Sequence, residues 1–270
     1  MAPIRGGFIN NAPAATFLLK KLLKRTRRFG FSRPRVIVCA PSDVSERQSA
    51  ALVESVRQSG ASAVAVVPGP LAAAIGAGLD VSSRYAQLIV DIGAGVTDIA
   101  VIRDGNLIQT AAIRSAAGTH LHRAVQKMTA KRYGIELSRN EAEILTRKLA
   151  SVYRNPLPDF LKIFGLGENG REKCIIVESF DVCEAIRPIV GVIVEAIRRA
   201  VREMPPDACA EVIETGICLT GGVAELPGLV KLIAERTNLP VQLAPAPMYS
   251  VIDGASRMLE TSTKTSFWRN

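Results

Sequence analysis

An α/β fold is predicted by three features of the chain. Short apolar strands alternate with a helix between Arg35 and Val67. Two strands run directly into glycine turns, at Asp91–Gly95 and at Thr220–Gly222. Residues 181–203 carry apolar side chains three and four positions apart. Strand–helix–strand order calls for a parallel sheet covered by helices, because a parallel return needs a crossover of a dozen or more residues.

The elements follow in order. Residues 13–29 read as a helix. Arg35 to Ala40 is a short apolar strand, 43–59 a helix ending near Gly60, and Ala63 to Val67 a second strand. Residues 71–78 form a helix of small side chains that can pack tightly on a neighbour. The 88–114 region reads as strands, with Asp104-Gly105 as the hairpin turn. Helices follow at about 118–133 and 138–150. The Pro/Gly-rich stretch 155–170 reads as loop and 174–178 as strand. In 181–203, Val182, Ile186, Ile189, Ile193, Ile197 and Val201 recur at helical spacing, which marks core rather than cofactor contact. Strand 216–220, a helix over 227–237 opened by Pro227, strand 240–243 and a helix near 250–261 complete the pattern. The tail from Thr261 to Asn270 reads as loose.

Composition bounds the function. At 48% apolar and 22% charged, 270 residues can bury a sizeable core, as one large domain or two small ones. Cys39, Cys174, Cys183, Cys209 and Cys218 are scattered, odd in number and without metal-ligand spacing. That usage suits a reducing cytosol, so a cytoplasmic location is expected. The N-terminus has no apolar stretch before a small-residue cleavage site, and the apolar run Ala61 to Leu79 is broken by Pro68, Gly69 and Pro70.

The net charge of +9 is concentrated in Lys20, Lys21, Lys24, Arg25, Arg27, Arg28, Arg33 and Arg35, among Phe17, Leu18, Leu22 and Leu23. Two readings stand: a helix lying on anionic lipid, or a surface helix with one buried face and a solvated basic face. Nucleic acid is not an expected partner, because no aromatic-basic platform or recognition motif is visible.

The chemistry concentrates in Val90-Asp91-Ile92-Gly93-Ala94-Gly95-Val96-Thr97-Asp98. An apolar strand enters an aspartate, two glycines turn the backbone, and a second apolar strand leaves. Such a tip can approach an anion closely, since glycine brings no Cβ to obstruct a phosphate. Its counterpart is Gly216-Ile217-Cys218-Leu219-Thr220-Gly221-Gly222. On residues alone, Asp91 is also readable as a turn-initiating aspartate, and Asp43-x-x-Glu46 as a helix-capping arrangement. His120 and His122 form an H-x-H pair without other clear ligands and read as surface helix histidines. No Ser-His-Asp set or P-loop lysine motif occurs.

The ordered pair of turns, with the text around both, resembles the actin and heat-shock-chaperone ATPase superfamily, and most closely the MreB-type bacterial actins. The resemblance covers nearly the whole chain. It is carried also by Pro3-Ile4-Arg5-Gly6-Gly7-Phe8-Ile9, by Pro68 through Leu79, by Met204-Pro205-Pro206-Asp207, by Glu214-Thr215-Gly216-Ile217 and by Pro247 through Gly254.

It implies an actin-like ATPase fold, with ribonuclease-H-like sheets and helices, and an incomplete first domain: the family's first phosphate hairpin has no counterpart before Asp91, nor has its N-terminal amphipathic membrane anchor. It implies the division 1–85 for the remainder of the first domain, 86–250 for the second with an inserted subdomain at about 119–180, and 251–270 for a helix returning to the first domain and a tail.

The resemblance also implies ATP held with magnesium. Asp91 would hold the metal through water. The Gly93 and Gly95 amides would touch phosphate, within a loop that includes Ala94, Val96 and Thr97. Gly221, Gly222 and Val223 would approach from the other side, and Glu143 would join the adenosine pocket. Glu46 aligns with the family's water-orienting glutamate, and Thr97 is the only hydroxyl in the loop, so these two are the candidate catalytic residues.

Several positions depart from the family pattern. Ala94 and Val223 stand for glycines, and Val96 for a threonine. Thr119 and His122 stand for two aspartates. Thr146 stands for a basic residue that Arg147 or Lys148 would have to replace. ATP binding is therefore expected to be weakened or lost, and any hydrolysis slow.

The function expected from the resemblance is ATP-dependent filament formation beneath the inner membrane, guiding cell-wall synthesis. Its partners would be further copies joined head to tail, cell-wall-synthesis membrane proteins and, peripherally, anionic membrane. The alternative is a degenerate actin-like binding module with little or no turnover. An ATPase acting as an enzyme in its own right is the third reading.

Overall fold

In the computed structural model of the protein, residues 3–26, 33–153, 159–167 and 170–261 are described. The chain opens with a small hairpin, β1 (Ile4–Arg5) and β2 (Phe8–Ile9), turned by Gly6 and Gly7 at φ 57° and 82°. Helix α1 (Ala12–Thr26) follows; positions 27–29 of the expected helix lie outside the described residues.

The expected strand–helix–strand unit is β3 (Arg35–Ala40), α2 (Glu46–Gln58) and β4 (Ala63–Pro68). Its strands are parallel, from Arg35↔Ala63 to Ala40↔Pro68. The cap of α2 is not Asp43 with Glu46. Ser45 forms a capping box with Gln48: its hydroxyl accepts from the Gln48 amide (3.3 Å), and its own amide donates to Gln48 Oε1 (3.0 Å). Asp43 is drawn instead to Arg114, with oxygens 3.0 and 2.5 Å from the guanidinium.

Helix α3 (Gly69–Ala77) leads into a meander of β5 (Gln87–Ile92), β6 (Thr97–Arg103) and β7 (Asn106–Ile113). Asp104 and Gly105 turn the second hairpin at φ 48° and 75°, as a two-residue loop with both centres at positive φ requires. Next come α4 (Gly118–Tyr133), β8 (Ile135–Glu136), α5 (Arg139–Leu149), β9 (Phe160–Gly167) and β10 (Glu172–Glu178).

Strands β8, β9 and β10 form an antiparallel sheet. Residues 160–167 were expected as loop and are strand. Leu161, Ile163 and Gly165 alternate inward, and a Cβ at Gly165 would lie 2.3 Å from Ile135 Cγ2. The glycine there permits close packing rather than a turn. Positions 154–158 of the expected loop lie outside the described residues.

Helix α6 (Ser179–Arg202) buries Val182, Ile186, Ile193 and Ile197, with Ile189 and Val201 partly buried at its flanks, as the periodicity predicts. Helix α7 (Pro206–Thr215) has no counterpart in the sequence reading; Pro206 opens it. After β11 (Ile217–Thr220) a short 3-10 turn spans Gly222–Glu225. Helix α8 (Leu229–Thr237) then starts behind Gly228 at φ 84°, so Pro227 lies in the preceding loop and does not open the helix. Strand β12 (Val241–Leu243) and α9 (Ser250–Thr261) follow; positions 262–270 of the expected tail lie outside the described residues.

The central sheet has the order β12–β11–β5–β6–β7. Strands β12, β11 and β5 are parallel, and β5, β6 and β7 antiparallel. Alternation sorts its two faces. Leu88, Val90, Ile92, Ile99 and Val101 enter the large core with α4, α5 and α6. Ile89, Ala100 and Ile102 meet Ala73 and Ala74 of α3 on the other face. Helix α9 crosses α3 at two glycines: a Cβ on Gly76 would lie 1.8 Å from the Ser250 carbonyl oxygen, and one on Gly254 the same distance from that of Ala72.

Candidate functional site

Parallel pairing of β5 and β11 sets Asp91 opposite Thr220, so both strands deliver their glycine turns to the same end of the sheet. Gly221, at φ 82°, packs directly on the aspartate: a Cβ there would lie 2.4 Å from Asp91 Oδ1 and 2.5 Å from the Ile92 carbonyl oxygen. No other residue type fits that approach. The turn is fixed from behind. The Gly221 amide donates to Pro247 O (2.8 Å), and the Thr220 hydroxyl lies 2.9 Å from Pro247 O and 2.6 Å from Ser250 Oγ.

The half-buried carboxyl of Asp91 has no hydrogen bond or ion pair among the described residues. Burial, and secondly the nearby charge of Asp98, push its pKa up to about 7. Asp98 is engaged: Ser42 donates to it from its amide (2.9 Å) and its hydroxyl (2.5 Å). Burial, with a smaller contribution from Asp91, raises the Cys39 thiol to about 11, so that thiol stays protonated.

The loop after Asp91 is organised differently from expectation. The Gly93 amide is consumed inside the turn, donating to Val96 O at 3.0 Å, so it is not free for phosphate. The amides of Ala94, Gly95 and Val96 have no partner among the described residues. The first amides of α4 close on the loop from the other side, Gly118 to Gly93 O (3.0 Å) and Thr119 to Ala94 O (2.8 Å). A Cβ on Gly118 would lie 3.3 Å from both Ala94 Cα and Val223 Cγ2, so the two departures from glycine both pack against Gly118. Gly222 is exposed, with Met248 Cε nearest.

The β1–β2 turn seals the loop's outer edge. A Cβ on Gly95 would lie 2.8 Å from Gly6 Cα, and one on Gly7 2.5 Å from Pro41 Cγ. Arg114 ties these pieces together: it donates to Gly6 O (2.6 Å), pairs with Asp43, and stacks 3.9 Å from the Phe8 ring centre. Sequence reasoning missed Arg114. Its partners lie 71 and 108 positions away, and no local pattern announces them.

The two catalytic candidates do not converge. Thr97 is fully buried and donates to Ala116 O at 2.8 Å, a structural bond that holds its hydroxyl out of the cleft. Glu46 is exposed in the first turn of α2, with no hydrogen bond to the loop among the described residues. Glu143 pairs with Arg147 Nε at 3.1 Å, one of the two residues expected to replace the base absent at Thr146. His120 and His122 are half-buried rather than surface histidines, and the Nδ1 atoms of both are buried without a partner. No group of side chains suited to hold a metal by itself occurs among the described residues.

The family model for MreB/Mbl protein matches residues 1–266. The cell shape-determining protein Mbl of Bacillus subtilis (strain 168) is 32% identical over 264 residues, 97% of this chain and 79% of the relative. The cell shape-determining protein MreB of Escherichia coli (strain K12) is 32% identical over 264 residues, covering 96% of this chain and 75% of the relative. Among solved structures, MreB5 of Spiroplasma citri bound to ADP matches with a TM-score of 0.90 at 25% identity, over 97% of this chain and 79% of that one. A MamK double helical filament matches at 0.81 with 20% identity, over 96% of this chain and 80% of that one, a likeness of fold.

Proposed function

This chain belongs to the MreB/Mbl family, and from that premise we propose that it is an actin-like, cell-shape-determining cytoskeletal protein that binds a magnesium nucleotide at Asp91 and turns it over slowly. The observation that carries the reading is the unpaired Asp91 carboxyl, pressed against Gly221 and beside the open amides of Ala94, Gly95 and Val96. A half-buried carboxylate with no partner is costly alone and suits a cation. Magnesium is commonly held by one or two carboxylates, with water and substrate phosphates completing the shell, and a lone aspartate beside free amides fits that chemistry. The metal would neutralise phosphate charge. The MreB5 structures of Spiroplasma citri, bound to ADP and to AMPPNP, support a nucleotide in this fold.

Slow turnover follows from the side chains around the loop. Val96 has no hydroxyl, that of Thr97 is spent on Ala116, and Glu46 makes no hydrogen bond to the loop among the described residues, so neither catalytic candidate is placed to take a proton from water. Gly221, Gly222 and Val223 would flank the nucleotide from β11, and Glu143 the adenosine from α5. The division 1–85, 86–250 and 251–270 agrees with α9 packing against α3.

Self-association is supported by likeness to the MamK filament. We take the filament as head-to-tail, lying beneath the inner membrane and guiding cell-wall synthesis through membrane proteins. Helix α1 would touch anionic lipid: Phe17, Leu18 and Leu22 are exposed among Lys20, Lys21, Lys24 and Arg25. No helix among the described residues is long and apolar enough to cross a membrane.

The test is calorimetry of magnesium ATP with the wild type and Asp91→Asn. Micromolar binding, weakened at least tenfold by the substitution, is expected. Absence of binding to the wild type, or equal binding to both proteins, overturns the assignment.

A further inference from the structure

The Gly93–Val96 loop forms one wall of a cleft of about 880 Å³, walled elsewhere by the β1–β2 turn and by α4 and the start of α5. That size falls within the range of about 300–1,000 Å³ usual for small-ligand sites. Its charge is one-sided. Arg5, Arg114, His120, His122, Arg123 and Arg139 line it, and no aspartate or glutamate does. Arg114 is neutralised by Asp43. Arg5, Arg123 and Arg139 have no ion pair among the described residues.

Burial is the main influence on the two imidazoles, and the nearby arginines add to it. His120 is held toward the neutral form by burial first, then by Arg123 and Arg5. His122 is lowered by burial, with Glu143 opposing and Arg139 and Arg147 adding to it. Both Nδ1 atoms are buried without a partner among the described residues, so the imidazoles wall the cleft and are not themselves its anion ligands.

We infer that this cleft is an oligophosphate site in which guanidinium groups, not a metal ion, carry the counter-charge. Arg5 on β1, Arg123 on α4 and Arg139 at the start of α5 approach one volume from three elements. Guanidinium forks match phosphate oxygens two at a time and stay charged at all accessible pH. The free amides of the loop supply further donors to the same anion. The inference rests on the nucleotide reading only for the source of the phosphate chain. It differs in assigning part of the binding to groups that need neither Asp91 nor magnesium.

The experiment is calorimetry of inorganic tripolyphosphate on the full chain in EDTA. We expect binding by the wild type, weakened at least tenfold by the double variant Arg123→Gln, Arg139→Gln and partly restored by Lys at both positions. Asp91→Asn should bind tripolyphosphate at least as well as the wild type, since it removes a nearby negative charge. All these residues but Asp91 are exposed, and circular dichroism verifies that each variant is folded. ATP binding tighter than tripolyphosphate identifies a nucleotide as the source of the chain; equal affinity identifies free polyphosphate, and both support the site. No tripolyphosphate binding in EDTA, or binding unchanged in the glutamine variant, overturns it. Magnesium-ATP binding that persists in either event leaves the Asp91 reading intact and separates the two.

Discussion

Burial holds the Asp91 carboxyl near pH 7, whereas an aspartate in water titrates near 3.8. A folded pKa raised above the unfolded one means that the native state binds more protons between those values. Stability is therefore lost as pH rises from about 3.8 through 7 and stays low above that window. In EDTA, Asp91→Asn should melt at the wild-type temperature below pH 3.8 and several degrees higher at pH 8, a gain of roughly 1–3 kcal/mol once partial exposure is allowed for. Equal melting temperatures at pH 8 would contradict the burial argument.

Gly221 is the second pivot. Alanine there meets the Asp91 carboxylate in a backbone conformation at φ 82°. We expect a loss of about 2 kcal/mol or more in chemical denaturation, with nucleotide binding reduced in step. Both residues were legible in the sequence because each lies where an apolar strand runs into glycines. Arg114 was not, since its meaning comes from Gly6 and Asp43, brought to it only by the fold. His120 and His122 were read as surface histidines because the β1–β2 turn, which shares a cleft with them, lies far away in sequence.

At the level of elements, helix α6 was readable because every turn repeats the same apolar face, and β3–α2–β4 because its pattern switches period cleanly. Strand β9 was hidden by its glycines. Gly165 carries the signature of a turn, yet it makes room for Ile135. Helix α7 was hidden by the two prolines at its start, which read equally well as loop.

The crossing of α3 and α9 yields a paired test. Gly76→Ala places a methyl 1.8 Å from the Ser250 carbonyl oxygen, and neither helix backbone can yield locally. The loss should be about 3 kcal/mol in urea unfolding. Gly191→Ala is the control. It lies exposed within α6 with nothing within 4 Å of the new methyl, and it should stabilise by about 0.5–1 kcal/mol. If both substitutions had the same effect, close packing at the crossing would not be what fixes α9.

Across the whole molecule, the fold class could be read from the order of elements and the two glycine turns, but the sheet order could not. Pairing β11 with β5 joins Leu219 to Val90 across nearly half the chain, and no local propensity encodes that choice. The same pairing brings Asp91 to Gly221, so the site exists only once the sheet is closed. Its two charge regimes, a lone aspartate at the end of β5 and an arginine-lined cleft beside α4, both adjoin the Gly93–Val96 loop.

Sedimentation and negative-stain imaging of the purified full chain, with and without magnesium ATP, test the central claim most directly. We predict filaments of the wild type with magnesium ATP, and a clear loss of pelleted protein when the nucleotide is withheld or when Asp91 is replaced by Asn. A protein that stays in the supernatant in every nucleotide state, or pellets equally in all of them, would contradict the account.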